Sequence, residues 1–164
     1  MTAVIEVDAK ERLRIIQGAK TVALVGVSAN PIRSSNFVAS YLVRTPFTIY
    51  PVNPMYDEVL GLECLPALHD LPEPPDIVDI FRREDQIPGV VDEAIEVGAK
   101  AVWFQLGLRH DDAARTAREA GLQVVQDRCL KIEHARWAGG LHLGGFDTGI
   151  ISSKRRRPIV MGRP

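Results

Sequence analysis

Ser28, Asn30 and Arg33 fall within one short polar stretch, V-S-A-N-P-I-R. A hydroxyl, a carboxamide and a planar guanidinium at this spacing suit the oxygens of a phosphate group. Ser34 follows directly, and Arg82 and Arg83 add further positive charge later in the chain. Taken singly, each has a plainer reading. Ser28 and Asn30 also fit an ordinary turn, and Arg82 and Arg83 also fit a solvated helix start. Asn53 stands between Pro51 and Pro54, Gln105 opens the run Q-L-G, and Cys129 sits in D-R-C-L. His110 is the one histidine that follows such a run closely. No hydroxyl or thiol has a base beside it in the sequence pattern, as nucleophilic catalysis requires.

These residues need a scaffold that brings them together. Thr21–Val25 is short, β-branched and apolar, as a strand covered on both faces should be. Gly26 ends it at a sharp turn. Ser34, Ser35 and Asn36 are all competent to cap a helix running to about Tyr41–Arg44. Asp8–Gly18 reads as a helix with Asp8 as its cap. Further strands are expected at Phe47–Val52, Leu62–Leu65, Ile77–Phe81, Ala101–Phe104 and Leu122–Val125. Pro66–Asp76 reads as a stiff loop. Helices are expected from Pro88 to Gly98, and from a cap at Asp111 to Gly121. Strand alternating with helix predicts an α/β, Rossmann-like, doubly wound and mainly parallel sheet with helices on both faces. Ligands of such sheets lie outside the carboxyl ends of the strands. The stretches just after each strand are then the candidates: Val27–Asn30, Asn53–Met55, Phe81–Arg83, Gln105–Gly107 and Asp127–Cys129.

A chain of 164 residues fits one such domain. Its net charge of −1 argues against a nucleic-acid partner. No apolar run approaches the ~18 residues of a membrane span, and the N-terminus lacks the pattern of a signal peptide. Cys64 and Cys129 form no C-x-x-C, so neither a disulfide framework nor a metal site is expected. Together these point to the cytoplasm. The glycine-rich run after residue 138 leads into Lys154–Arg157, which reads as a solvated basic extension rather than a nucleic-acid contact.

The phosphate ligand does not read as NAD. The dinucleotide pattern G-x-G-x-x-G needs its second glycine where this chain has Ser28, and its third where it has Pro31. The acid that should close the second strand is replaced by Asn53. No G-x-x-x-x-G-K-[ST] occurs either.

Five stretches carry a resemblance. They are V-A-L-V-G-V-S-A-N-P-I-R-S-S (22–35), Y-P-V-N-P-M-Y-D-E-V-L-G (50–61), L-P-E-P-P-D-I-V-D-I-F-R-R (71–83), E-V-G-A-K-A-V-W-F-Q-L-G (96–107) and V-V-Q-D-R-C-L-K-I-E-H-A-R (124–136). In this order the chain resembles the stand-alone CoA-binding proteins, whose domain is similar to the CoA-binding domain of the succinyl-CoA synthetase α subunit. The resemblance implies a domain over residues 1–137, with an N-terminal helix in 1–20 and an extension at 138–164. It implies coenzyme A as the cofactor, held along the carboxyl edge of the sheet. Val27, Ser28, Asn30, Arg33 and Ser34 would lie at the diphosphate and 3′-phosphate end. Asn53 and Pro54 would flank the adenosine, Phe81 and Arg82 would wall the nucleotide, and Gln105 and Gly107 would lie along the pantetheine arm. Met55 departs from the pattern, since relatives often carry a basic residue there; Arg33 is then the cation left for the 3′-phosphate. Cys129 is a possible thiol partner for CoA.

Three functional readings follow. The first is a CoA or acyl-CoA binding module without chemistry of its own. The second is a nucleotide-dependent enzyme, either an NAD(P)-dependent oxidoreductase or an accessory subunit of an acyl-CoA ligase. The third is an interaction protein that keeps the fold but not the ligand. Retention of Ser28, Asn30, Arg33, Asn53 and Gln105 together favours the first.

Overall fold

The computed structural model describes residues 6–138. The expected glycine-rich and basic extension, apart from Ala138, lies outside the described residues. Helix α1 (Ala9–Gly18) leads into β1 (Thr21–Val25), α2 (Ser34–Leu42) and β2 (Thr48–Val52). A small hairpin follows, β3 (Glu58–Val59) with β4 (Leu62–Glu63). Then come β5 (Ile77–Ile80), α3 (Ile87–Glu96), β6 (Ala101–Phe104), α4 (Asp111–Glu119), β7 (Gln123–Val125) and α5 (Leu130–Ala138).

The main sheet runs β2-β1-β5-β6-β7, and every pair in it is parallel. The α/β Rossmann-like expectation therefore holds. Alternation along the strands splits the core into two layers. Ala23, Val25, Val78, Ile80, Val102 and Phe104 pack on the α3 and α4 side. Val22, Leu24, Ile77 and Trp103 pack with α1, α2 and α5 on the other. The order places β2 on one side of β1 and β5 on the other. The loops leaving β1 and β5 therefore diverge, and a crevice opens between them at the carboxyl edge.

Several boundaries differ from expectation for local reasons. Leu62–Leu65 is not one strand: Leu62 and Glu63 turn back on β3 through Leu60 and Gly61, both at positive φ (53° and 76°). Leu65 instead bridges Val52 alongside β2. Helix α4 is capped by His110, whose Nδ1 accepts the Ala113 N–H at 3.2 Å, and Asp111 is its first residue rather than its cap. Asp8 does cap α1, accepting the Glu11 N–H at 2.8 Å. Helix α5 was not expected. Its buried positions are Leu130, Glu133 and Arg136, so its inward stripe is mostly charged and apolar periodicity does not reveal it.

Candidate functional site at the carboxyl edge

Gly26 ends β1 at φ +86° and donates its N–H to Val52 O at 2.8 Å. A Cβ there would stand 3.0 Å from Arg82 Cδ and 3.1 Å from Phe81 O. The glycine therefore allows both the turn and the close passage of the Arg82 stem over the loop.

The following loop is tied by its own side chains. Ser28 N–H donates to Ser35 Oγ at 3.1 Å, and Asn36 Nδ2 donates to Ser28 O at 2.9 Å. Ser28 Oγ accepts the Asn30 N–H at 3.0 Å and lies 3.2 Å from the Tyr56 hydroxyl. Asn30 Oδ1 accepts the Ile32 N–H at 3.0 Å. This corrects the expected capping of α2. Ser35 and Asn36 are buried and turned into the loop, Ser34 begins the helix, and Arg33 occupies the cap position without a side-chain hydrogen bond. The Ser34 and Ser35 N–H groups find no acceptor among the described residues. An uncapped helix N-terminus of this kind attracts anions.

Asn53 is a rivet between two loops. It is buried, its Nδ2 donates to Val27 O at 2.9 Å, and its Oδ1 accepts the Met55 N–H at 3.0 Å. After β5, the Phe81 N–H continues the ladder to Val25 O at 2.8 Å, which carries Arg82 to the crevice. Among the described residues neither Arg33 nor Arg82 has an ion-pair partner, whereas Arg83 meets Asp85 at 3.0 Å in an exposed pair. After β6, the Gly107 N–H is taken by Asp127 Oδ1 at 2.6 Å.

A cleft of about 540 Å³ opens where these loops meet. Of the residues singled out in the sequence, Ser28, Arg33, Ser34, Phe81, Arg82 and Gln105 line it. Val27, Asn30, Asn53, Pro54 and Gly107 stand behind or beside that lining and shape the loops. Among the described residues the lining includes three arginines, Arg33, Arg82 and Arg83, and no carboxylate. Exposed apolar side chains edge it, with Met55 at 77% and Leu106 at 56% exposure. Cys129 is 7% exposed within the core, and burial pushes its thiol pKa up, which keeps it the less reactive thiol form.

Sequence reasoning passed over two residues here. Tyr56 lines the cleft and pairs with Ser28. Asp79 is wholly buried on β5, and Gln105 Nε2 donates to both of its oxygens, at 2.6 and 2.8 Å. Burial raises its pKa to about 8, against the lowering effect of that hydrogen bond. The signal was present as an acid inside an otherwise apolar strand, I-V-D-I.

The donor set, two arginines without acid partners among the described residues beside a free helix start, suits a ligand with several phosphates. The chain is 40% identical over 121 residues to the uncharacterized protein YneT of Bacillus subtilis, covering 74% of this chain and 90% of that one. A solved structure of a hypothetical protein from Pyrococcus horikoshii is 38% identical with a TM-score of 0.78, covering 85% of this chain and all of that one. An ADP-forming acetate–CoA ligase of Methanocaldococcus jannaschii is 30% identical over 128 residues, covering 73% of this chain but only 18% of the ligase. Relatives therefore occur both as stand-alone chains and as one segment of a much longer ligase. The model of the CoA-binding domain matches residues 20–135, and the chain belongs to that family.

Proposed function

We propose that this protein is a CoA-binding module that holds CoA or an acyl-CoA along the carboxyl edge of its sheet and performs no chemistry of its own. The observation that carries the reading is a cleft lined together by Arg33, Arg82 and the uncapped start of α2, with no carboxylate among its described lining residues. The helix N–H groups and Arg82 suit the diphosphate, and the exposed Arg33 suits the 3′-phosphate. Asn53 and Pro54 support the adenosine side, with Val27, Ser28 and Asn30 setting the loop. Phe81 walls the nucleotide, and Gln105 and Gly107 mark the path of the pantetheine arm. The two cysteines, free and buried, fit a reducing compartment such as the cytoplasm.

The ligase relatives favour a second reading, in which the module serves a partner that carries the catalytic parts. Calorimetric titration with CoA, acetyl-CoA, dephospho-CoA and NAD tests the first reading. Tight CoA binding, weaker dephospho-CoA binding and no NAD binding are expected. Absence of binding to CoA and acetyl-CoA would overturn it. Mass spectrometry of the isolated protein adds the test for Cys129, since a mixed disulfide would appear as a CoA mass lost on reduction.

A further inference from the structure

Beneath the cleft lies an acid that phosphate binding does not use. Asp79 is 0% exposed. It points away from Val78 and Ile80, toward the layer of Leu24 and Trp103, its register neighbours on β1 and β6. Among the described residues its hydrogen-bond partner is Gln105 Nε2, which donates to both carboxyl oxygens. Gln105 lies two residues beyond Trp103 on the same face and lines the cleft. Its Oε1 accepts from no described residue, yet it is not among the polar atoms sealed without a partner.

An ionised carboxylate only accepts hydrogen bonds, so it can face only the NH₂ end of a carboxamide. The amide oxygen is then turned outward. A neutral carboxyl group, or an asparagine, offers one donor and one acceptor and holds the amide equally well the other way round. We infer that Asp79 is a positioning residue that sets which end of the Gln105 amide meets the bound molecule, and that Gln105 Oε1 receives an amide N–H from the arm of a CoA-class ligand. The inference rests on the CoA reading above. It takes the arm to run from the arginines toward β6, two strands across the sheet from β1.

The surroundings leave Asp79 with few competing charges. Leu24 and Trp103 flank it from the neighbouring strands, and α2 presents Val38, Ala39 and Leu42 to the same layer. Cys129, just before α5, is a titratable group that senses its charge. Asp79 changes charge near pH 8, within reach of a binding experiment.

The test uses the full chain and three ligands: CoA, and two analogues in which each arm amide N–H is replaced in turn by an ester oxygen. Affinities are measured at least one pH unit on either side of about 8. The ratio of analogue to CoA cancels titration of the phosphates and thiol that the ligands share. Above that pH one analogue should bind about tenfold more weakly than CoA, the worth of one hydrogen bond. Below it the deficit should shrink to about twofold. Asp79→Asn should show the small deficit at both values. Gln105→Met, which leaves the buried acid in place, should also lose the discrimination. A deficit in the unaltered protein that ignores pH, or a pH dependence that survives in Asp79→Asn, would overturn the inference. Equal affinity for all three ligands sinks it while leaving CoA binding intact; no CoA binding sinks the functional reading itself.

Discussion

At the seam between α1 and α5, Glu133 is wholly buried between two arginines. Arg12 Nε approaches Glu133 Oε2 at 3.0 Å and donates from Nη1 to Val7 O at 2.7 Å. Arg136 Nη1 lies 3.7 Å from the other oxygen. At the cleft, Arg33 and Arg82 have no acid within reach among the described residues, and the buried acid nearby, Asp79, has an amide for a partner instead of a cation. The same residue types thus do two jobs. At the seam one acid is shared by two cations inside the protein, and the pairing fixes how a helix docks. At the cleft the arginines are left without an acid among the described residues, at little cost where the side chain is exposed, and so stay available to an anion.

The sharpest way to break this contrast is to remove the acid of the seam. Glu133→Ala removes the acid that two buried guanidinium groups share and should cost about 3–5 kcal/mol of stability. Thermal or urea unfolding reads this directly. A loss below about 1 kcal/mol would mean that water reaches the seam and that the pairing there is no stronger than a surface contact.

The second test compares the two buried acids. Asp79 has a folded pKa raised to about 8 from an ordinary 3.8, so the folded state keeps a proton that the unfolded chain gives up. Its contribution is therefore fully present below about pH 4 and is lost as pH rises toward 8. The slope from this one group is at most about 1.4 kcal/mol per pH unit. Unfolding measured across that range should show stability falling with pH, and Asp79→Asn should flatten the fall. An unchanged slope in the variant would assign the pH dependence to other groups.

The third test separates Arg33 from structure. Arg33→Ala should leave stability within about 0.5 kcal/mol, because the side chain is exposed and has no ion-pair partner among the described residues. It should weaken CoA binding by about 1.5–3 kcal/mol and dephospho-CoA far less. Equal losses for both ligands would move the 3′-phosphate contact elsewhere.

How far these two regions were legible in the sequence differs for a physical reason. The strands and the turn at Gly26 stand out because a buried parallel strand must be apolar and a sharp reversal needs glycine. The loop after β1 was legible as a set of polar residues but not in its wiring. Ser35 and Asn36 are as competent to cap α2 as to tie Ser28, and only the packed loop shows that they face inward. The α1–α5 seam was hidden altogether, since Leu130, Glu133 and Arg136 share a face that apolar periodicity passes over. Asp79 lay in plain view, but its importance depends on Gln105, twenty-six residues away in the chain and one strand away in the sheet.

The smallest expected effect sharpens what the cleft excludes. Ser28 occupies the slot where a dinucleotide site needs glycine, so Ser28→Gly restores that one feature. It should still not create NAD binding. The end of β2 offers Asn53, whose amide is committed to Val27 O and the Met55 N–H, and not a carboxylate for the ribose hydroxyl. The variant also loses the Ser28 Oγ contacts to Asn30 N–H and Tyr56, at a cost of about 1 kcal/mol in stability. Titration with NAD should therefore give no heat of binding beside a slightly lowered melting temperature. Measurable NAD affinity in Ser28→Gly would show that the hydroxyl, and not the missing acid, is what keeps dinucleotides out. The cleft would then be a dinucleotide site closed by a single side chain.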